Sequence, residues 1–169
     1  MAFVTTFVGA VSKKGSNAFN VDFSVGPGVR GNQPADIMLV QALFRIAHFE
    51  VSAPLPPPPG ETGIAVDGKL GPKTIRFILN GQRLAKASGL KVRLDGIFDP
   101  FRSQGEFSKI AKVRYVLELL NDACFNLCDN DGINNFVALQ VRDDIPAALV
   151  ADLNAPRRDV ARQYEREQG

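Results

Sequence analysis

The run Pro54-Leu55-Pro56-Pro57-Pro58-Pro59-Gly60 divides this chain. Each proline lacks a backbone N–H and holds φ near −65°, so neither a helix ladder nor a sheet ladder can pass through the run. Its expected state is an extended polyproline surface loop between two packed elements, with capture by a proline-binding domain as the alternative. The residues on either side must then form separate elements that meet only by packing.

On the amino-terminal side, the first helix signal begins near Asn32-Gln33-Pro34-Ala35-Asp36. Pro34 suits a first turn, Asp36 suits the positive end of the helix dipole, and Ile37, Val40, Leu43, Phe44 and Ala47 recur at helical spacing. Leu39, Ile46 and Phe49 widen the apolar face, which predicts a largely buried helix. Upstream, residues 3–11 and 18–25 read as two strands around a turn at residues 13–17, because aromatic and β-branched residues flank a turn-forming cluster.

Beyond the proline run, Asp67-Gly68 marks a turn, and Gly71 suggests a left-handed or close-packed backbone. Pro72 and Thr74 open a helix through Ile75, Ile78, Leu79 and Gln82, stopped by Ser88-Gly89. Gly81 inside it implies close contact with another helix, since glycine there costs about 1 kcal/mol relative to alanine. Asp95-Gly96 echoes Asp67-Gly68 and reads as a closing turn of the same unit. A long helix is expected over residues 106–127, with Ile110, Val113, Val116, Leu117, Leu120, Cys124 and Leu127 on one face. A short helix follows Pro146 through Leu149, Val150 and Leu153, and a last one follows Pro156 to residue 168. Asp129-Asn130-Asp131-Gly132 has the look of a calcium loop, but Leu127 and Ala138 stand at the first and last ligand positions, so a helix-ending turn is expected.

Composition narrows the chemistry. The single histidine, His48, cannot build a multi-histidine zinc centre and reads as structural. Two cysteines, Cys124 and Cys128, make no disulfide framework, and Cys124 reads as a buried small hydrophobe rather than the partner of His48 in catalysis. With 20 Lys and Arg against 18 Asp and Glu, the chain lacks the basic field that nucleic-acid binding requires. No segment approaches the roughly 20 apolar residues of a membrane span. The apolar start precedes Lys13 and Lys14 instead of following them, so no secretory leader is expected and synthesis in the cytoplasm is.

Pro34-Ala35-Asp36-Ile37, then Val40-Gln41-x-Leu43, then Val66-Asp67-Gly68-x-x-Gly71-x-x-Thr74 and finally Gln82 resemble, in order and spacing, the peptidoglycan-binding domain family over about residues 26–88. That family is written as an aspartate, a hydrophobic residue and Leu-Gln, a later Asp-Gly-x-x-Gly-x-x-Thr, and a closing Phe-Gln. Gly81 departs from the closing phenylalanine, and the proline-rich loop is longer than the usual connection. The resemblance implies a mainly α protein. An N-terminal β-hairpin (residues 1–25) would precede a three-helix peptidoglycan-binding-like module (26–100), with additional C-terminal helices (101–169) packed on it.

It also implies a noncatalytic protein of the cell wall. Sugar faces are usually met by flat aromatic side chains, yet tryptophan is absent and the only tyrosines are Tyr115 and Tyr164. Stem-peptide carboxylates are therefore the expected contact, at Asp67, Gly68, Lys69, Gly71, Lys73, Thr74 and Arg76, where a helix start would add to the cations Lys69, Lys73 and Arg76. The alternative is that these cations are a solvated helix surface. No cofactor or metal is implied. Two other classes stay open: a muramidase-like hydrolase using Glu106 or Glu118, and a structural or accessory component of a contractile injection system or phage particle that uses the fold for protein contacts. Wall access without a leader would need a non-classical route, and delivery by such a machine supplies one.

Overall fold

The computed structural model describes residues 1–6, 17–101 and 112–156. Two antiparallel strands, β1 (Phe3–Thr6) and β2 (Asn17–Asn20), precede helices α1 (Pro34–Phe49), α2 (Pro72–Ala87), α3 (Val116–Asp131) and α4 (Ala147–Leu153), with a 3-10 turn at Leu139–Val141 before α4. The protein is mainly helical with a two-stranded hairpin in front. Residues 7–11 of the first expected strand, residues 13–16 of the expected turn at 13–17, residues 106–111 of the expected long helix, Ile110 among them, and the last helix from residue 157 lie outside the described residues.

Helix α1 is the centre of the molecule. Twelve of its sixteen residues are buried, including Asp36, Gln41 and His48, so the helix is enclosed on all sides rather than on one stripe. It packs against α3, α4 and β2, and one continuous apolar cluster runs from Ala2 to Leu153. Residues 26–100, where a three-helix module was expected, hold two helices, α1 and α2, and α3 comes after them. α2 is amphipathic: Thr74, Phe77, Ile78 and Gln82 face inward, while Ile75 and Leu79 are only half-buried. Phe44 of α1 meets Phe77 at 5.6 Å and Phe98 at 5.5 Å between ring centroids, a joint of tilted rings that fixes α2 and the second Asp-Gly turn on α1. Gly81 stands beside this joint, where a Cβ would meet Phe44 Cε1 at 3.4 Å, in keeping with the expected helix contact.

Two boundaries differ from the sequence expectation. β2 ends at Asn20, because the N–H groups of Asp22 and Phe23 turn to the buried carboxylate of Asp36, and Val25 then pairs with Phe98. α3 begins at Val116, not near residue 106. The Arg114 N–H donates to the Lys91 carbonyl at 2.9 Å, and Lys112 has a positive φ of 54°, so residues 112–115 are not helical and Val113 does not share the α3 face. The inner stripe of α3 accordingly runs Leu117, Leu120, Cys124 and Cys128, with Leu127 only partly buried. At its far end Gly132 adopts φ 66°, and the Ile133 N–H reaches back to the Cys128 carbonyl, so the Asp-Asn-Asp-Gly run is a helix terminus. Asp131 of that run accepts from the Ser52 N–H and hydroxyl and ties the loop after α1 to α3.

The outer edge of β2 is closed by a side chain. Asn121 of α3 accepts from the Phe19 N–H at 2.8 Å and donates to the Phe19 carbonyl at 2.9 Å, taking the place of a third strand.

Candidate functional site

The candidate site residues fall into two groups, one turned inward and one outward. The inward group surrounds the amide of Gln41. Its Oε1 accepts from the N–H groups of Asp67 (3.0 Å) and Gly68 (2.9 Å), while its Nε2 lies 2.9 Å from Asp67 Oδ1, 3.1 Å from Thr74 Oγ1 and 3.2 Å from the Lys69 carbonyl. Asp67 Oδ1 also accepts from the Lys69 N–H, and this bond, followed by that from Gln41, holds the Asp67 carboxyl below its usual pKa. Gly68 has φ 71°, and a Cβ there would stand 3.1 Å from the Pro34 carbonyl, so glycine is required on both counts.

Gly71 is different. As the N-cap of α2 it has extended backbone, with φ −107° and ψ 176°, and nothing lies within 4 Å of where its Cβ would be. The left-handed or close-packed backbone expected at Gly71 does not occur, because α2 is entered from an extended residue and stopped upstream by the Gln41 clasp. Asp67, Gly68 and Thr74 thus form the start of α2 by gripping α1.

The outward group is cationic. Lys73 Nζ stands 3.1 Å from Glu61, and the Arg76 guanidinium makes a close ion pair with the same carboxylate, so the two cations converge on one anion that the loop after the proline run delivers. Bonds from Arg76 first and Lys73 second hold the Glu61 carboxyl below its usual pKa. Both cationic side chains remain about half exposed, at 51% and 53%, and Lys69 is exposed beside them. Helix α2 carries Lys73, Arg76, Arg83 and Lys86 and no acidic residue.

Two features of this region were not foreseen from the sequence. Glu61 as the partner of Lys73 and Arg76 depends on where the loop folds back, and no local pattern announces that. The second is a repeat of the clasp. Gln82 of α2 accepts from the Gly96 N–H at 2.9 Å and donates to Asp95 Oδ1 (2.9 Å) and the Ile97 carbonyl (3.0 Å), while the Ile97 N–H bonds Asp95 Oδ1. This reproduces, bond for bond, most of the arrangement of Gln41 on Asp67-Gly68-Lys69. The paired Asp-Gly dipeptides, each with a buried glutamine on an otherwise apolar helix face, were the available signal.

The remaining candidates are placed as follows. His48 is buried in α1 against Phe44 and Phe77, with Nδ1 2.9 Å from the Leu55 carbonyl. Cys124 and Cys128 are buried free thiols raised above their usual pKa by burial, and Cys124 Sγ lies 3.3 Å from the Leu43 carbonyl. Glu118 is buried in α3, and Glu106 lies outside the described residues. Among the described residues, no helix is long and apolar enough to cross a membrane, and no group of three or more His, Cys, Asp or Glu is placed to hold a metal ion. No protein-family model, curated protein or solved structure matches this chain.

Proposed function

We propose that this chain is a noncatalytic cell-wall-binding protein that contacts carboxylates of the peptidoglycan stem peptides through Lys69, Lys73 and Arg76. The observation that carries the reading is Glu61, a carboxylate already gripped by Lys73 and Arg76 at a half-exposed edge. A site that holds the chain's own carboxylate has the donors and the charge to hold another of the same chemistry. Asp67, Gly68 and Thr74 serve it indirectly, by fixing the start of α2 from which Lys73 and Arg76 project.

Glu61 is then a built-in competitor, and the test follows from it. In sedimentation with purified sacculi, the wild-type chain is expected to pellet. The double variant Lys69→Glu, Lys73→Glu is expected to stay in the supernatant, and Glu61→Gln, which frees both cations, to pellet at several-fold lower sacculus concentration. Failure of the wild type to pellet ends the wall reading. It would turn attention to protein contacts within an injection apparatus or phage particle, with copurification from the native host as the measurement. Wild-type pelleting that both variants leave unchanged would keep the wall and remove this site.

A further inference from the structure

The proline run between α1 and α2 presents much of its length to solvent. Proline holds φ near −65°, and a residue that precedes proline is driven to ψ of about +120 to +160°, so residues 56–58 are held in the polyproline form. That form is a left-handed helix with three residues per turn and a rise of about 3.1 Å per residue, so side chains three apart share an edge. Leu55 and Pro58 make the edge that meets the protein: Pro58 is buried, and Leu55 packs against the apolar core. Pro56 and Pro59, the second edge, are both exposed, while on the third Pro54 is exposed and Pro57 partly buried. Burial thus repeats every three residues, as it must when such a helix rests on one edge.

The run is fastened from beneath. The Leu55 N–H donates to the Ala47 carbonyl at 2.9 Å, the Leu55 carbonyl lies 2.9 Å from His48 Nδ1, and the Asn80 amide donates to the Pro56 carbonyl at 2.9 Å. At the far end Gly60 turns with φ 81°, and the Glu61 N–H donates to the Pro58 carbonyl at 3.1 Å. No donor among the described residues reaches the carbonyl of Pro54 or Pro57. Leu55 and Pro58 account for the docking of the run, and the packing gives no reason for proline at 54, 56 or 59.

We propose that this ridge is the docking site for a protein with an aromatic-lined, polyproline-reading groove, which takes the edge of Pro54 and Pro57 together with the edge of Pro56 and Pro59. Aromatic faces would cover the exposed rings, and a donor in the groove would bond a free carbonyl. A groove meets two edges of a three-edged helix, and the edge left facing away from it is the one this protein anchors. The fold has already ordered the run, so binding is spared the ordering entropy of a free proline-rich segment. The ridge makes no use of Lys73 or Arg76, and it stands or falls apart from the wall reading.

The chain contains no tryptophan, so the groove tryptophan of a purified SH3 or WW domain reports binding of the whole chain without background. A saturable fluorescence change is expected with at least one of these two probes, reversed by excess free PxxP peptide. In the chain, amide NMR shifts should concentrate at Ala53, Leu55, Gly60 and Glu61. Two double variants, Pro56→Ala with Pro59→Ala and Pro54→Ala with Pro57→Ala, should each weaken binding by about tenfold or more, the loss expected when anchors at an interface centre are cut. Both variants leave Leu55 and Pro58 in place, and their amide spectra check that they fold. The proposal is overturned if neither probe gives a saturable change, if the wild-type shifts concentrate away from the run, or if either folded variant binds as tightly as the wild type.

Discussion

Gln41 is a polar residue inside the most enclosed helix of the protein, and its amide satisfies the backbone of a turn 26 residues away. The same device recurs with Gln82 on Asp95-Gly96, with Asn121 on Phe19, and with Asn20, whose amide bonds the Phe101 N–H and carbonyl. A carboxamide offers a donor and an acceptor side by side, the same pair a neighbouring strand would present, and it does so without the desolvation cost of a charge. Removing one leaves the partners buried and unpaired, which costs more than the net value of the bonds lost. Gln41→Ala should therefore destabilise the protein by about 2–4 kcal/mol in chemical denaturation, by loss of several buried bonds together with a cavity. Gln41→Glu should be no better at neutral pH, because its carboxylate would face that of Asp67 and could not donate to it. A Gln41→Ala variant as stable as the wild type would show that the clasp is ornamental.

At the scale of elements, helix periodicity located α1, α2 and α4 well, since each begins at or beside a proline and buries residues at helical spacing. It misplaced the start of α3, because Val113 fits the period and the backbone bond from Arg114 to Lys91 leaves no trace in local sequence. In the candidate site, the Asp-Gly turn and the cations of α2 were legible. Glu61 and the clasp by Gln41 were not, as both arise from contacts across the proline-rich loop.

A second long-range tie was equally hidden. Glu50, at the end of α1, accepts two bonds from Arg142 (2.7 and 2.8 Å), one from Asn135 (3.0 Å) and one from Arg45 (2.9 Å). This joins α1 to the segment between α3 and α4, and the side chains of Glu50 and Arg142 are only 15% and 14% exposed. Arg142→Ala should cost about 2–3 kcal/mol, less than a fully buried pair, because Arg45 and Asn135 still partly compensate the carboxylate. Thermal unfolding would measure it, and a loss near zero would mean that α1 is held by its apolar contacts alone.

For the whole molecule, stability should fall on acidification in two stages. Burial lowers the pKa of His48, so as the pH drops through about 6.5 the unfolded chain takes up a proton that the folded chain resists, and stability declines. The decline stops once the pH is below the folded value, and it should be absent in His48→Phe. Glu50 gives the second stage. Burial alone would raise its carboxyl, but the bonds from Arg142 and Asn135 and the nearby cations outweigh that and hold it below 4.5. Its contribution is whole above pH 4.5 and is lost as the pH falls through the folded value. Asp36, raised by burial above 3.8, has the opposite sign and offsets part of this acid limb. Denaturant midpoints across this range would reveal both stages. A flat profile between pH 7 and 5.5 for the wild type would remove the first.

The side chain that closes the outer edge of β2 follows its strand by 102 residues. At ribosomal rates of about 5–20 residues per second, β2 leaves the tunnel roughly 5–20 seconds before Asn121 can reach Phe19. During that interval neighbouring nascent chains meet an open strand edge with apolar Ala18 and Phe19 beside it. Translation speed downstream of residue 20, and the chaperones that attend it, would then govern how much of this protein matures.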